Sequence, residues 1–270
     1  MKGSPLENKA VANVTLQIAK GEFAAIIGHT GSGKSTLIQH LNGLLKPDQG
    51  SIIVDGINTR GKDIKFLRKK VGIVFQYPEH QLFEETVYKD IAFGLLKHGV
   101  EEPERDRRIR ETADMLEISG DLLKKSPHEI SGGQKRRVAI AGILVLKPDI
   151  LILDEPAAGL DPMGSKELFH MVKTLHREQN ITVILVSHSM ELVAEVAKRI
   201  IVMNKGRIVM DGTPEEIFSN AEYLAKIGLS VPQITLFMKE LKKKIPRANE
   251  RIYTVEAAER EILRLMGGGA

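Results

Sequence analysis

Two stretches of this 270-residue chain combine residue types and spacings that suit phosphate chemistry. The first is Gly28-His29-Thr30-Gly31-Ser32-Gly33-Lys34-Ser35, followed by Thr36. It fits G-x-x-x-x-G-K-S and follows an apolar run, Gly21 to Gly28. Glycines there let backbone N–H groups close around phosphate oxygens without Cβ atoms in the way. A helix starting at the end of the run adds free N–H groups and the positive end of its dipole. Lys34 brings a full positive charge to the β- and γ-phosphates of a nucleotide, and Ser35 offers a hydroxyl to Mg²⁺. A glycine-rich turn with no ligand is the plainer alternative. The second stretch is Asp154-Glu155, directly after the apolar Ile150–Leu153. Adjacent carboxylates repel each other and are costly to desolvate, and a capping role would need only one. Beside a phosphate site they have separate tasks. Asp154 holds Mg²⁺ through its water shell, and Glu155 polarises an attacking water. A carboxylate pair at a helix start is the structural alternative.

Ser131-Gly132-Gly133-Gln134 raises a different question. It reads as a capping box, with Ser131 at the N-cap and Gln134 three positions on. Yet glycine in a first helical turn costs stability relative to almost any other residue. Two of them suggest that something, most simply an anion, approaches the backbone closely. The chain then carries two anion-binding helix starts. Gln76 and His188 read, taken singly, as loop residues. Both follow expected strands at their C-terminal ends, which is where ligands bind in open α/β sheets.

The elements that must position these residues follow from hydrophobic pattern. Strands are expected at Gly21–Gly28, Ser51–Val54, Val71–Phe75, Ile150–Leu153 and Ile181–Val186. A last strand pair, Arg199–Met203 and Arg207–Met210, turns at Asn204-Lys205-Gly206. Strand, loop, helix, strand in that order predicts an α/β fold with a mostly parallel core sheet. From about 77 to 146 the sequence is rich in Glu, Lys, Arg and Leu and reads as an inserted helical subdomain. Thr213-Pro214-Glu215-Glu216 reads as a capped helix start. It opens a C-terminal helical extension over 214–270, after a cassette spanning 1–213. The final Gly-Gly-Gly-Ala reads as disordered.

Composition narrows the class. No apolar run approaches the ~18 residues of a membrane-spanning helix, and no signal-peptide pattern follows Lys2, so a cytoplasmic chain is expected. Cysteine is absent, which excludes disulfides and thiolate metal sites. The net charge of +4 is too mild, and the aromatic content of 4% too low, to suggest a nucleic-acid binder. Lys65–Lys70, Arg105–Arg110 and Lys242–Lys244 read as solvated helix faces, with an acidic partner or anionic membrane as the alternative.

The order of "GHTGSGKST", Gln76, "ISGGQ", "ILILDEP", "AGLD" and His188 resembles the ATPase subunit of ATP-binding cassette (ABC) transporters, a phosphate-loop NTPase fold, over about Gly21 to Gly212. The resemblance implies ATP and Mg²⁺ as ligands and a head-to-tail pair of subunits. The "SGGQ" signature of one subunit covers the ATP held by the phosphate loop of the other. Gly31, Gly33, Lys34, Ser35 and Thr36 would hold phosphates and Mg²⁺. Gln76 would sense Mg²⁺ and the water and connect to the helical lobe. Ser131, Gly132, Gly133 and Gln134 would close over the partner's γ-phosphate. Asp154 would support the metal and Glu155 would be the general base. Asp161 would lie at the dimer seam, and His188 would contact the γ-phosphate and orient the water. "QYPEHQLFEETVYKDIAFG", "RIIVMNKG" and "VPQIT" are similar to ATPases of the energy-coupling factor (ECF) type, specifically the second of two paralogues. This implies a sister ATPase as heterodimer partner, a transmembrane scaffold subunit and substrate-binding membrane subunits for vitamins or transition-metal ions. It also implies a peripheral position on the cytoplasmic face of the membrane and a C-terminal extension that adds a dimer contact.

Two departures stand out. Ile130 replaces the usual Leu of the signature. Before Gly3 there is only Met1-Lys2, and no aromatic residue occurs before Phe23, where relatives carry a strand and an adenine-stacking aromatic. The expectation is that the natural protein starts upstream, with loss of adenine stacking as the alternative. A binding-protein-dependent ABC importer is the alternative function. A chromosome or repair ATPase is remote, because the gap from Gln76 to Ser131 has no room for a long coiled coil.

Overall fold

Apolar runs with β-branched residues become strands here, and 3.6-period stretches between them become helices. The computed structural model describes residues 9–267. The expectations about the start of the chain and about residues 268–270 fall outside them, while Gly267, the first of the terminal Gly-Gly-Gly-Ala expected to be disordered, ends the last helix. Along the chain lie β1 (Phe23–Ile27), α1 (Lys34–Leu41), β2 (Ile53–Val54), β3 (Ile57–Asn58), α2 (Ile64–Lys70) and β4 (Val71–Val74). Next come α3 (Val87–Lys97), α4 (Glu104–Met115), α5 (Gly120–Lys124), α6 (Gly132–Leu144), β5 (Ile150–Asp154), α7 (Pro162–Gln179) and β6 (Thr182–Val186). The chain closes with α8 (Met190–Val196), β7 (Arg199–Asn204), β8 (Arg207–Gly212), α9 (Pro214–Phe218), α10 (Ala221–Lys226), α11 (Gln233–Lys244) and α12 (Val255–Gly267). Two compact units result. Among the described residues, one comprises 9–37 with 184–267, and the other Ile38–Val183.

In the first unit every residue of β1 is buried. It pairs in parallel with β7, from Ala24 opposite Arg199 to Ile27 opposite Val202. β7 turns through Lys205-Gly206 into antiparallel β8. Both turn residues have positive φ (48° and 74°), which matches the natural twist of a two-residue hairpin. Ala25, Ile27, Ile200 and Val202 form one core cluster with Phe218, Leu224 and Val231 from the C-terminal segment. α9 starts as expected: Thr213 accepts from the Glu216 N–H, and Glu216 accepts from the Thr213 N–H. Arg199 fastens the rim with a two-pronged contact to Asp211 (2.6 and 2.7 Å) and bonds to Glu22 (3.1 Å) and the Gln17 carbonyl (2.8 Å). Asp211 foremost, then Glu22, raises its pKa further above the arginine norm, against the opposing effect of burial.

In the second unit β4 pairs in parallel with β5, from Val71 opposite Ile150 to Val74 opposite Leu153. β2 and β3 form a short hairpin through Asp55-Gly56. The expected strand Ser51–Val54 is reduced to Ile53–Val54, and β3 was not expected. α3 buries Val87, Ile91 and Leu95, the i, i+4, i+8 stripe of an inward-facing helix. The Arg105–Arg110 run lies on α4 and is laced to acids, with Arg108 at 2.6 Å from Glu104 and Arg110 at 2.7 Å from Asp106. It is a solvated, paired helix face, as its sequence suggests.

Candidate functional site

In the first unit, fully buried β1 ends at Ile27 and the chain enters the glycine-rich loop. Gly28 is buried because the loop is tight: a Cβ there would stand 2.4 Å from the Met203 carbonyl oxygen and 2.5 Å from Ser32 Oγ. Ser32 fills the loop interior, with its Oγ buried and without a hydrogen-bond partner. Gly33 has φ +101°, and a Cβ there would stand 2.4 Å from the Ala10 carbonyl oxygen. Lys34 opens α1 and donates from Nζ to the carbonyls of Gly28 (2.6 Å) and His29 (3.1 Å), folding its charge back over the loop. The Leu37 N–H donates to the Gly33 carbonyl, so the helical ladder begins inside the motif. Thr30, Gly31 and Ser35 are exposed, while Thr36 is half-buried. His29 links the loop to the β7–β8 turn: its Nε2 lies 3.0 Å from Asn204 Oδ1, and its Nδ1 donates to the Thr30 carbonyl at 2.6 Å. The Gly206 N–H donates to the Ser32 carbonyl, and the Ala12 N–H to the Gly206 carbonyl. His188 is exposed in the loop after β6, next to Ser187, whose N–H donates to the Ile26 carbonyl at the end of β1.

In the second unit Gln76 is exposed just beyond β4. Tyr77 follows with φ +55° and stacks on His80, their ring centroids 5.8 Å apart. A short 3-10 turn, Pro78–Gln81, then carries Glu79. Asp154 is 7% exposed at the end of β5. Glu155 has φ +50°, a conformation that costs a residue with a side chain about 1–2 kcal/mol. In the loop that follows, the four consecutive carbonyls of residues 155–158 are engaged. Glu155 O accepts from Ala158 N and Ala157 O from Leu160 N, while Pro156 O and Ala158 O accept from Arg136 at 3.1 and 2.8 Å. Asp161 caps α7, accepting from the Gly164 N–H at 2.7 Å with Pro162 at the first helical position.

The capping box at the start of α6 forms as expected. Ser131 Oγ accepts from the Gln134 N–H (3.3 Å), and Gln134 Oε1 accepts from the Ser131 N–H (3.0 Å). Gly132 and Gly133 are exposed, neither has positive φ, and a Cβ on either would meet nothing within 4 Å. Nothing in the described part of this chain demands those glycines. Alanine would favour the helix by about 1 kcal/mol at an interior position, so packing among the described residues does not account for the two glycines.

Each sequence-predicted residue thus falls on a strand end or helix start. Gly28–Thr36 and His188 lie in the first unit, Gln76, Ser131–Gln134, Asp154, Glu155 and Asp161 in the second. Sequence reasoning missed Arg136 and Glu79, Asn204, and the cap formed by Asp161. Arg136 shares a helical face with the buried Ile140 and Leu144, four and eight residues on, but Arg137 stands at the same spacing from the buried Ala141 and Val145, so periodicity does not single it out. The Asp161-Pro162 pair carries its own cap signature.

The sequence profile of the ABC transporter family matches residues 11–158. The chain is 60% identical over 264 residues to "Energy-coupling factor transporter ATP-binding protein EcfA2" of Acetivibrio thermocellus, covering 98% of this chain and 94% of that protein. The protein of the same name from Bacillus subtilis is 49% identical, over 98% of each chain. Among solved structures, cbiO1 from Clostridium perfringens, part of the ABC transporter complex cbiONQ, superposes with a TM-score of 0.73 at 40% identity, covering 85% of this chain and 92% of that one. The ATP-binding cassette MJ0796, dimeric in a post-hydrolysis state with ADP and Pi, gives 0.70 at 30% identity, covering 79% and 94%.

Proposed function

The chain belongs to the ABC transporter family, among the ATP-binding proteins of energy-coupling factor transporters, and on that premise we propose that it powers an importer of vitamins or transition-metal ions by ATP-driven closure of a dimer. It is an ATPase of the α/β phosphate-loop class. The observation that carries the dimer reading is the start of α6. It is a capped helix whose first two residues are exposed glycines with open space around them. A phosphate held by a second ATPase fits that description, because N–H groups at a bare helix start bind anions.

The residues divide the work. Lys34 and the N–H groups of Gly31–Thr36 bind the β- and γ-phosphates. Glu155 takes the proton of the attacking water, His188 and Gln76 orient that water, and Asp161 lies at the seam. Hydroxyl, amide and carboxylate oxygens of Ser35, Gln76 and Asp154 are the hard donors Mg²⁺ selects, and they are few, as befits an ion that keeps waters and substrate phosphates as ligands. Mg²⁺ would neutralise charge building on the phosphates. Ser131–Gln134 serve the partner's nucleotide. Hydrolysis then removes γ-phosphate contacts from both halves, and the dimer opens.

The partners we propose are a sister ATPase in a heterodimer, a transmembrane scaffold and a substrate-binding membrane subunit. We place it peripherally on the cytoplasmic face of the membrane, as its membership of the ECF ATP-binding proteins suggests; no described helix is long and apolar enough to cross a membrane. The cassette over 1–213, with its helical insertion and the 214–270 extension as an added dimer contact, belongs to the same reading. Ser131→Arg tests it in the complex assembled with the sister ATPase. Hydrolysis at the site that this helix covers should stop, while ATP binding at this chain's own Lys34 loop persists. Loss of that binding would contradict the shared-site arrangement.

A further inference from the structure

We propose that Arg136 is a positioning residue that locks the signature helix both to the catalytic carboxylate loop and, through Glu79, to the segment after Gln76, so that both sites of the dimer depend on one buried guanidinium. The inference rests on the function proposed above. Arg136 is 4% exposed, and a charge at that depth persists only when fully bonded. Its Nε and Nη2 meet the two oxygens of Glu79 at 3.1 and 2.9 Å, and its Nη1 and Nη2 donate to the carbonyls of Pro156 and Ala158 at 3.1 and 2.8 Å. One planar fork therefore joins three segments. Glu79 lies three residues after Gln76, Pro156 directly follows Glu155, and Arg136 itself lies five residues after Ser131.

In the dimer, these segments serve different nucleotides. Gln76 and Glu155 act on the ATP bound by this chain, and Ser131–Gly133 on the ATP of its partner. Arg136 joins them directly, so that a shift in one is passed to the other through its bonds. The loop it grips has no slack: the two carbonyls it takes alternate with two already used in turns, and Glu155 is held at positive φ. Lysine cannot replace it, because an ammonium lacks the planar fork that reaches a carboxylate and two carbonyls together.

The test uses the complex assembled with its sister ATPase, carrying Arg136→Lys or Glu79→Gln in this chain. Mg-ATP turnover is measured against ATP concentration, and thermal melting is followed in parallel. Arg136→Lys should lower kcat by about 10- to 100-fold, the scale of a misplacement near 1 Å, with KM for ATP changed less than about twofold. Glu79→Gln keeps the two carbonyl bonds and should lower kcat less. The double variant should be no slower than Arg136→Lys alone, because both changes break one unit. A kcat within about twofold of wild type in both single variants would overturn the proposal. So would a loss that follows KM alone, or one explained by melting below the assay temperature in both. A wild-type complex that hydrolyses no ATP would instead bring down the reading of the site, and this inference with it.

Discussion

Replacing Gly33 by alanine tests whether the phosphate loop is as tightly built as its geometry indicates. The new Cβ would lie 2.4 Å from the Ala10 carbonyl oxygen, where a carbon–oxygen contact needs about 3.3–3.6 Å. The Ala10 segment must therefore retreat by about 1 Å. It is tied down by the bond from Ala12 N–H to the Gly206 carbonyl (2.8 Å), and Gly206 N–H is bonded in turn to the Ser32 carbonyl (2.9 Å). Overpacking of this kind costs about 1–3 kcal/mol. The φ of +101° adds about 1–3 kcal/mol for a residue with a side chain. Gly31→Ala is the matched control, since Gly31 has φ +80° but nothing within 4 Å of its Cβ position. It should bear only the backbone cost. In nucleotide-free melts, Gly33→Ala should fall below Gly31→Ala by about 1–3 kcal/mol, or roughly 2–12 °C at about 2–4 °C per kcal/mol. Mg-ATP at a hundredfold excess over Kd should raise wild-type stability by about 2.7 kcal/mol, and Gly33→Ala should lose most of that gain. If Gly33→Ala melted as high as Gly31→Ala, the close approach of Ala10 to the loop would be refuted.

Glu155→Gln should still bind Mg-ATP and pair with the sister ATPase, while single-turnover phosphate release falls by about 10²–10⁴-fold; near-normal release would remove Glu155 as the base. The Glu79–Arg136 pair gives a pH signature. Burial pushes the Glu79 carboxyl up, but the Arg136 fork, the residue's own N–H and the Arg136 charge outweigh it and hold it below 4.5. A depressed carboxyl stabilises the fold fully above its unfolded pKa and loses that contribution as pH falls through the folded value. The stability advantage of wild type over Glu79→Gln should thus be flat near neutrality and shrink from about pH 5 downward in denaturant titrations. An advantage that grew on acidification would carry the wrong sign for the ion pair.

What the sequence disclosed was what is local. The Gly28–Thr36 spacing, the capping boxes at Ser131–Gln134 and Thr213–Glu216, and the Asn204–Gly206 turn each depend on residues within a few positions, so pattern suffices. The Asp55-Gly56 hairpin carried an equally local signal in its turn dipeptide. Its strands have only two residues each, too short for alternation to show. The His29–Asn204 link was not legible, because it spans 175 positions and no spacing encodes it. Arg136 was hidden for another reason. In "QKRRVAI" it looks like one member of a surface charge run, and only its burial, with Glu79 57 positions away, sets it apart from Arg137. Asp161 shows a shared assignment: it caps α7 within this chain whatever it does at a seam.

The most direct test of the account is affinity purification of the protein from its own cells in mild detergent, with mass spectrometry of everything retained. The account predicts a sister ATPase together with small membrane proteins, one a scaffold and others specific for the transported solute. Recovery with paired permeases and an extracellular binding protein, or with no membrane protein at all, would contradict it.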